Sequence, residues 1–130
     1  MAHRTRVLAA VIACGVSAIT APSMAQDPPG DPAAGKAVFQ SQCSICHSPQ
    51  KGRNLFGPSL FNLFGRPAGH APGYQYSDAT KTANITWNPA TLDPYLTNPK
   101  SVIPQTRMPY PGLKDAHKRA DLIAYLGTLQ

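Results

Sequence analysis

The sequence predicts an all-α fold, a set of short helices wrapped around a bound group, and three observations carry that prediction. Cys43-Ser44-Ile45-Cys46-His47 is a Cys-x-x-Cys-His run, the pattern of covalent c-type haem attachment. Apolar residues recur at three- and four-residue spacing in two segments, one running into Cys43 and one at the end of the chain, as amphipathic helices require. Fourteen prolines cut the chain into short pieces whose sparse apolar residues need help to fill a core. A bound haem would supply the missing apolar volume.

The order of residues in the motif follows from its chemistry. Each thiol can add across one porphyrin vinyl group, and the adjacent imidazole is then held where it can ligate the iron. A bare Cys-x-x-Cys would leave thioredoxin-like redox work, zinc or a disulfide as rivals. His47 directly after Cys46 favours haem.

The chain has 130 residues, enough for one compact domain. Its start reads as a targeting segment. His3, Arg4 and Arg6 precede a mostly apolar run from Val7 to Ile19, and Ser23-Met24-Ala25 offers small residues for cleavage. Residues 1–25 are therefore expected to be a cleaved signal peptide, and 26–130 a single mature domain in the periplasm. Val11-Ile12-Ala13-Cys14-Gly15 resembles a lipobox, but the apolar run continues past Cys14, so a lipid anchor there is the lesser reading. Cleavage takes Arg4 and Arg6 and no acid, leaving ten basic against six acidic side chains, a net +4. That mild, diffuse charge suits an acidic protein partner or a membrane complex and is too thin for nucleic acid.

Taken in order, Gln26 to Gly30 is a Pro-rich leader. Asp31-Pro32 is a helix cap with proline in the first turn, and Ala34, Val38, Phe39 and Cys43 then share one side. Gly35 lies four residues before Phe39, where another backbone could come close. Ser48 to Ala71 is irregular, and so long a loop needs something to pack on; Leu55, Phe56, Leu60, Leu63 and Phe64 are the apolar candidates. Ser77 to Lys81 offers one short helical turn. Asn88-Pro89 caps a helix over Ala90 to Thr97 in which Pro94 is awkward, so a kink or a late start near Asp93 is expected. Asn98-Pro99 closes that segment. Asp115 caps a final helix with Ala116, Ala120 and Ile123 in one row and Leu122, Tyr125, Leu126 and Leu129 in its neighbour.

The other axial position could stay open, giving a haem enzyme or sensor, or take a second side chain, giving electron transfer. Met108 is the sole methionine beyond residue 25, in Thr106-Arg107-Met108-Pro109-Tyr110-Pro111-Gly112. A lone methionine is ordinarily core filler; this one sits in a proline-stiffened loop that could present its thioether to iron. His70, between Gly69 and Ala71, and His117, beside Lys118 and Arg119, read as solvated.

Over residues 31–130 the chain resembles the class I cytochromes c of the mitochondrial and bacterial cytochrome c2 type. Gly35-Lys36-Ala37-Val38-Phe39 is similar to the family's first helix and Leu122 to Leu126 to the last, which crosses it. Gly57-Pro58-Ser59-Leu60 resembles the segment whose proline carbonyl takes the proximal imidazole proton. By this resemblance Pro58 backs His47. Arg66, Tyr76 and Trp87 would surround the inner haem propionate, Thr106 to Met108 before Gly112 match the ligand loop, and Tyr95 would pack beside Met108. Haem c on Cys43 and Cys46, with His47 and Met108 on the iron, is the implied cofactor.

The resemblance implies a monomeric, soluble, periplasmic one-electron carrier without catalytic residues. Its implied partners, docked transiently, are a bc1-type complex as donor and an oxidase or photosynthetic reaction centre as acceptor. A haem subunit of a periplasmic dehydrogenase, or a haem enzyme or sensor with an open sixth position, are the alternatives. Some residues depart from the family's pattern. Ala37 and Gln42 stand where lysines are usual, Tyr110 where phenylalanine is, and Pro94, Pro109 and Pro111 are unusual. Docking is therefore expected to rely less on charge and more on apolar contact.

Overall fold

The computed structural model describes residues 29–130. The expectations for the signal peptide, for Cys14 and for most of the Pro-rich leader lie outside the described residues. Among the described residues five helices follow in order: α1 (Pro32–Gln42), α2 (Asp78–Lys81), α3 (Pro89–Thr97), α4 (Pro99–Val102) and α5 (Ala116–Gly127). Among the described residues there is no strand, only an isolated antiparallel bridge between Pro67 and Thr86. The fold is all-α.

The caps do what their side chains allow. Asp31 accepts from the Ala33 N–H at 2.8 Å, and Asp115 from that of Lys118 at 3.1 Å, each satisfying a helix-start donor with no intrahelical partner. Ser77 caps α2 in the same way. Asn88 and Thr91 form a reciprocal capping box at the start of α3.

That box fixes the α3 start at Pro89, so the late start expected near Asp93 does not occur. Pro94 lies inside the helix and cannot donate to the Ala90 carbonyl one turn earlier. Both residues are exposed, so water can take that carbonyl and the helix continues. Asn98-Pro99 ends α3 and also opens the single turn of α4.

The first and last helices cross and carry the principal helix–helix contact of the molecule. Gly35 makes the crossing possible, because a Cβ there would collide with the Asp121 carbonyl and reach 2.9 Å from Tyr125 Cβ. The Phe39 and Tyr125 rings meet one turn on, centroids 5.4 Å apart. The Asp31 N–H donates to Asp121 Oδ1 at 2.7 Å and ties the start of α1 to α5.

The core joins Phe39, Leu63, Trp87, Leu92, Tyr95, Leu96, Ile103, Leu113, Leu122 and Leu126. Of the five apolar residues expected to anchor the long loop, Leu63 is buried, and Leu60 and Phe64 pack against the core partly buried. Leu55 does not follow that expectation, being 39% exposed, whereas Phe56 is 82% exposed yet lines the cavity that the helices and the loop enclose. The cause is a tight turn: Leu55 N–H donates to the Gly57 carbonyl at 2.9 Å and Gly57 N–H to Cys46 at 2.7 Å. Gly57 is thereby drawn inward, and Leu55 is left outside.

Candidate functional site

The helices and the long loop enclose a cavity of about 560 Å³, within the range of small-molecule and cofactor sites. All ten residues singled out from the sequence line it: Cys43, Cys46, His47, Pro58, Arg66, Tyr76, Trp87, Tyr95, Thr106 and Met108. Leucines from the long loop, α3 and α5 supply much of the remaining wall. His70 and His117 are exposed and do not line it.

One wall begins where α1 ends. Cys43 closes the helix, its N–H donating to the Phe39 carbonyl at 2.8 Å. Its own carbonyl accepts from Cys46 at 3.0 Å and from His47 at 2.8 Å. This turn sets both thiols and the imidazole on the cavity. Neither cysteine is in a disulfide. Burial, with Cys46 nearby, pushes the Cys43 thiol up to about 11. A low-pKa thiolate of the thioredoxin kind needs the opposite environment. Among the described residues no three His, Cys, Asp or Glu side chains converge as a metal-ligand set.

His47 is held from behind. Its Nδ1 lies 2.8 Å from the Pro58 carbonyl oxygen; a carbonyl only accepts, so Nδ1 carries the proton and Nε2 keeps its lone pair. Burial lowers the His47 pKa, against the opposing pull of that bond, and so favours the neutral ring a metal needs. Gly57 leaves room for the ring, since a Cβ there would press on three of its atoms. Behind Pro58 the loop is cross-braced. Ser59 N–H donates to Asn54 Oδ1 at 2.9 Å, Ser59 Oγ to the Gln50 carbonyl at 2.6 Å, and Leu60 N–H to Ser48 at 2.9 Å. Asn54 and Ser59 were not singled out from the sequence; small polar residues in a loop carry no signal of their own there.

Met108 reaches the same cavity from the segment after α4. Its N–H donates to Thr106 Oγ1 at 3.3 Å, and its Sδ accepts from the Tyr95 hydroxyl at 3.7 Å. Thr106 and Tyr95 hydroxyls are 3.4 Å apart, so the three side chains form one cluster.

Arg66, Tyr76 and Trp87 come together through backbone pairing of remote segments. Gly65 N–H donates to the Trp87 carbonyl at 2.8 Å, Trp87 N–H to that of Arg66 at 3.0 Å, and Ala68 N–H to that of Ile85 at 2.7 Å. Arg66 is anchored on the Ser59 and Phe61 carbonyls at 2.8 and 3.1 Å. Burial lowers its pKa from the usual arginine value, and raises that of Tyr76. Trp87 is 8% exposed, and its ring packs against Tyr95 with centroids 4.8 Å apart.

These residues fit a haem. Two thiols and a neutral imidazole share one wall, a thioether reaches the same space, and polar donors line a cavity otherwise largely apolar.

The comparisons with known proteins agree. The Cytochrome c family model matches residues 32–130. A cytochrome c2 of Rhodopila globiformis is 50% identical over 103 residues, covering 79% of this chain and 97% of that protein. A cytochrome c of Ginkgo biloba is 47% identical over 105 residues, 80% of this chain and 93% of its own. A cytochrome c of Euglena viridis is 46% identical over 101 residues, 78% of this chain and 99% of its own.

Proposed function

The chain belongs to the cytochrome c family, and from that premise we propose that it is a periplasmic carrier shuttling single electrons between membrane complexes. It is an electron-transfer protein and not an enzyme, and its cofactor is the family's covalent haem c, held through cysteines, here Cys43 and Cys46. When bound, that group supplies iron able to alternate between ferrous and ferric states. The chain's own residues bind it, orient its ligands and exclude water.

The observation that carries the reading is the pairing of a backed imidazole with a thioether on one cavity. His47 is the proximal ligand, and its Nδ1–H bond to Pro58 makes Nε2 a better donor. Met108 is the second ligand, steadied by Tyr95 and Thr106. Neutral thioether ligation and an apolar wall both favour the ferrous state, which sets the potential toward positive values. Arg66, Tyr76 and the Trp87 indole N–H are the groups suited to a haem propionate, offering a positive charge and hydrogen bonds.

The periplasmic site is supported by the cytochrome c2 relative and by the signal-like start of the sequence. Among the described residues no helix is long and apolar enough to cross a membrane. A bc1-type complex as donor, with an oxidase or reaction centre as acceptor, follows from the resemblance. None of Asp31, Asp78, Asp93, Asp115 and Asp121 lines the cavity, whereas Arg107 does, and Ile45 and Phe56 stand exposed beside Cys46. That front suits a partner met by apolar contact with a modest electrostatic attraction.

Two measurements test this. The ferric protein should show the weak far-red absorption band of methionine–iron(III) ligation, and Met108→Ala should abolish it. A high-spin ferric spectrum in the wild type would instead favour an enzyme or sensor with an open position. Turnover with membranes of the source organism should fall only gently with added salt; no turnover at any ionic strength would overturn the carrier.

A further inference from the structure

Two residues that depart from the family's usual pattern, Gln42 and Tyr110, are bonded to each other. The Tyr110 hydroxyl donates to Gln42 Oε1 at 2.6 Å, between residues 68 apart in sequence. Gln42 is the last residue of α1, next to Cys43, and Tyr110 lies two residues after Met108. Both line the cavity. The bond therefore joins the motif's wall to the methionine's.

What surrounds this bond gives it weight. The segment that carries Met108 is fastened at its ends. Ile103 N–H donates to the Pro99 carbonyl at 2.9 Å and Thr106 N–H to that of Ile103 at 3.0 Å; beyond it, Leu113 N–H donates to that of Leu96 at 2.7 Å. Among the described residues, Arg107 to Gly112 make no backbone–backbone hydrogen bond. Among the described residues, the bond from Tyr110 to Gln42 is the one hydrogen bond that ties Pro109 to Gly112 to another segment. Pro109 and Pro111 have no N–H to offer. They also hold Met108 and Tyr110 toward extended backbone, which limits where the phenol can swing.

We propose that the Tyr110–Gln42 bond is a latch that positions Met108 as axial ligand, setting how readily the loop lifts and the thioether is exchanged for another ligand. Both residues act through the loop. The proposal rests on Met108 being that ligand.

The test uses the ferric holoprotein, with imidazole as the competing ligand and loss of the far-red band as the readout. Tyr110→Phe keeps the ring and removes the donor, and Gln42→Leu removes the acceptor. Each should speed loss of the band about three- to tenfold, the range for losing one hydrogen bond. The double variant should be no faster than either single one, because both remove the same bond. Gln42→Glu keeps an acceptor and should restore the wild-type rate or slow it further. Unchanged rates in Tyr110→Phe, or effects that multiply in the double variant, would overturn the latch while leaving the ligation intact. A wild type without the far-red band would overturn ligation, and the latch with it.

Discussion

The two segments that present His47's support and Met108 are built in opposite ways. The loop after His47 is braced throughout: Gln50, Asn54 and Ser59 tie it to itself, Asn54 Nδ2 donates to the Pro72 carbonyl at 3.0 Å, and Tyr74 to that of Phe56 at 2.7 Å. The Met108 segment is fastened at its ends and spans the cavity on side-chain contacts alone. On the proposed ligation, a rigid support on one side and a suspended one on the other would give a fixed ligand and an exchangeable one. Local opening free energies follow the density of such contacts. An electron carrier gains from this asymmetry, since haem attachment is permanent while the second ligand can be tuned.

The largest effect should come from breaking the braced side. Gly57→Ala places a Cβ 2.8 Å from His47 Nδ1, and neither the ring, backed by Pro58, nor the backbone, held by Cys46, can retreat. Overpacking of this kind costs about 3 kcal/mol. Denaturant unfolding of the holoprotein should show that loss, with a shifted proximal-histidine spectrum. A variant as stable as wild type would mean the support is softer than its hydrogen bonds imply.

A smaller effect is expected at the base of the suspended side. Arg119 is 9% exposed. It donates to Asp93 at 2.6 Å and to the Leu113 and Lys114 carbonyls at 2.9 and 3.3 Å. Asp93 is half exposed, so solvent screens the ion pair and the carbonyl bonds carry more of the effect. Arg119→Ala should cost about 2 kcal/mol in urea unfolding and also quicken imidazole exchange at Met108. The same stability loss without faster exchange would detach Arg119 from the loop.

How far these features could be read from the sequence depended on how local they are. Cys43 to His47 is consecutive, and Asp31, Asn88 and Asp115 cap helices through bonds two or three residues long, so both were legible. Arg66 beside Trp87 needs pairing of segments twenty residues apart, and only the family resemblance supplied it. Arg119, surrounded by polar neighbours, gave no hint of burial, since its acceptor Asp93 is 26 residues away. Gln42 and Tyr110 read as two separate oddities. Pro94 misled on where α3 begins, because the capping box at Asn88 sets the start and the Ala90 carbonyl that proline cannot serve is open to solvent. Leu55 misled because an apolar residue in a loop was expected to pack, whereas the turn that places Pro58 leaves Leu55 outside.

The smallest effect, and the one that depends on pH, is at Tyr95. Its hydroxyl can steady Met108 Sδ only while it keeps its proton. Burial raises its pKa above the usual tyrosine value, and the hydrogen bond with Thr106 offsets part of that rise. An acid whose folded pKa lies above its unfolded one stays neutral longer in the folded state. Its contribution is therefore complete below the ordinary value of about 10 and is lost as pH rises through the folded one. Both contacts are long, at 3.4 and 3.7 Å, so the loss should be under about 1 kcal/mol. Tyr95→Phe should lower stability by that amount at neutral pH and leave a flatter alkaline limb in the far-red titration. If Tyr95→Phe keeps the wild-type limb, another group governs loop release at high pH, and the suspended side owes its grip to the bond between Tyr110 and Gln42 more than to Tyr95.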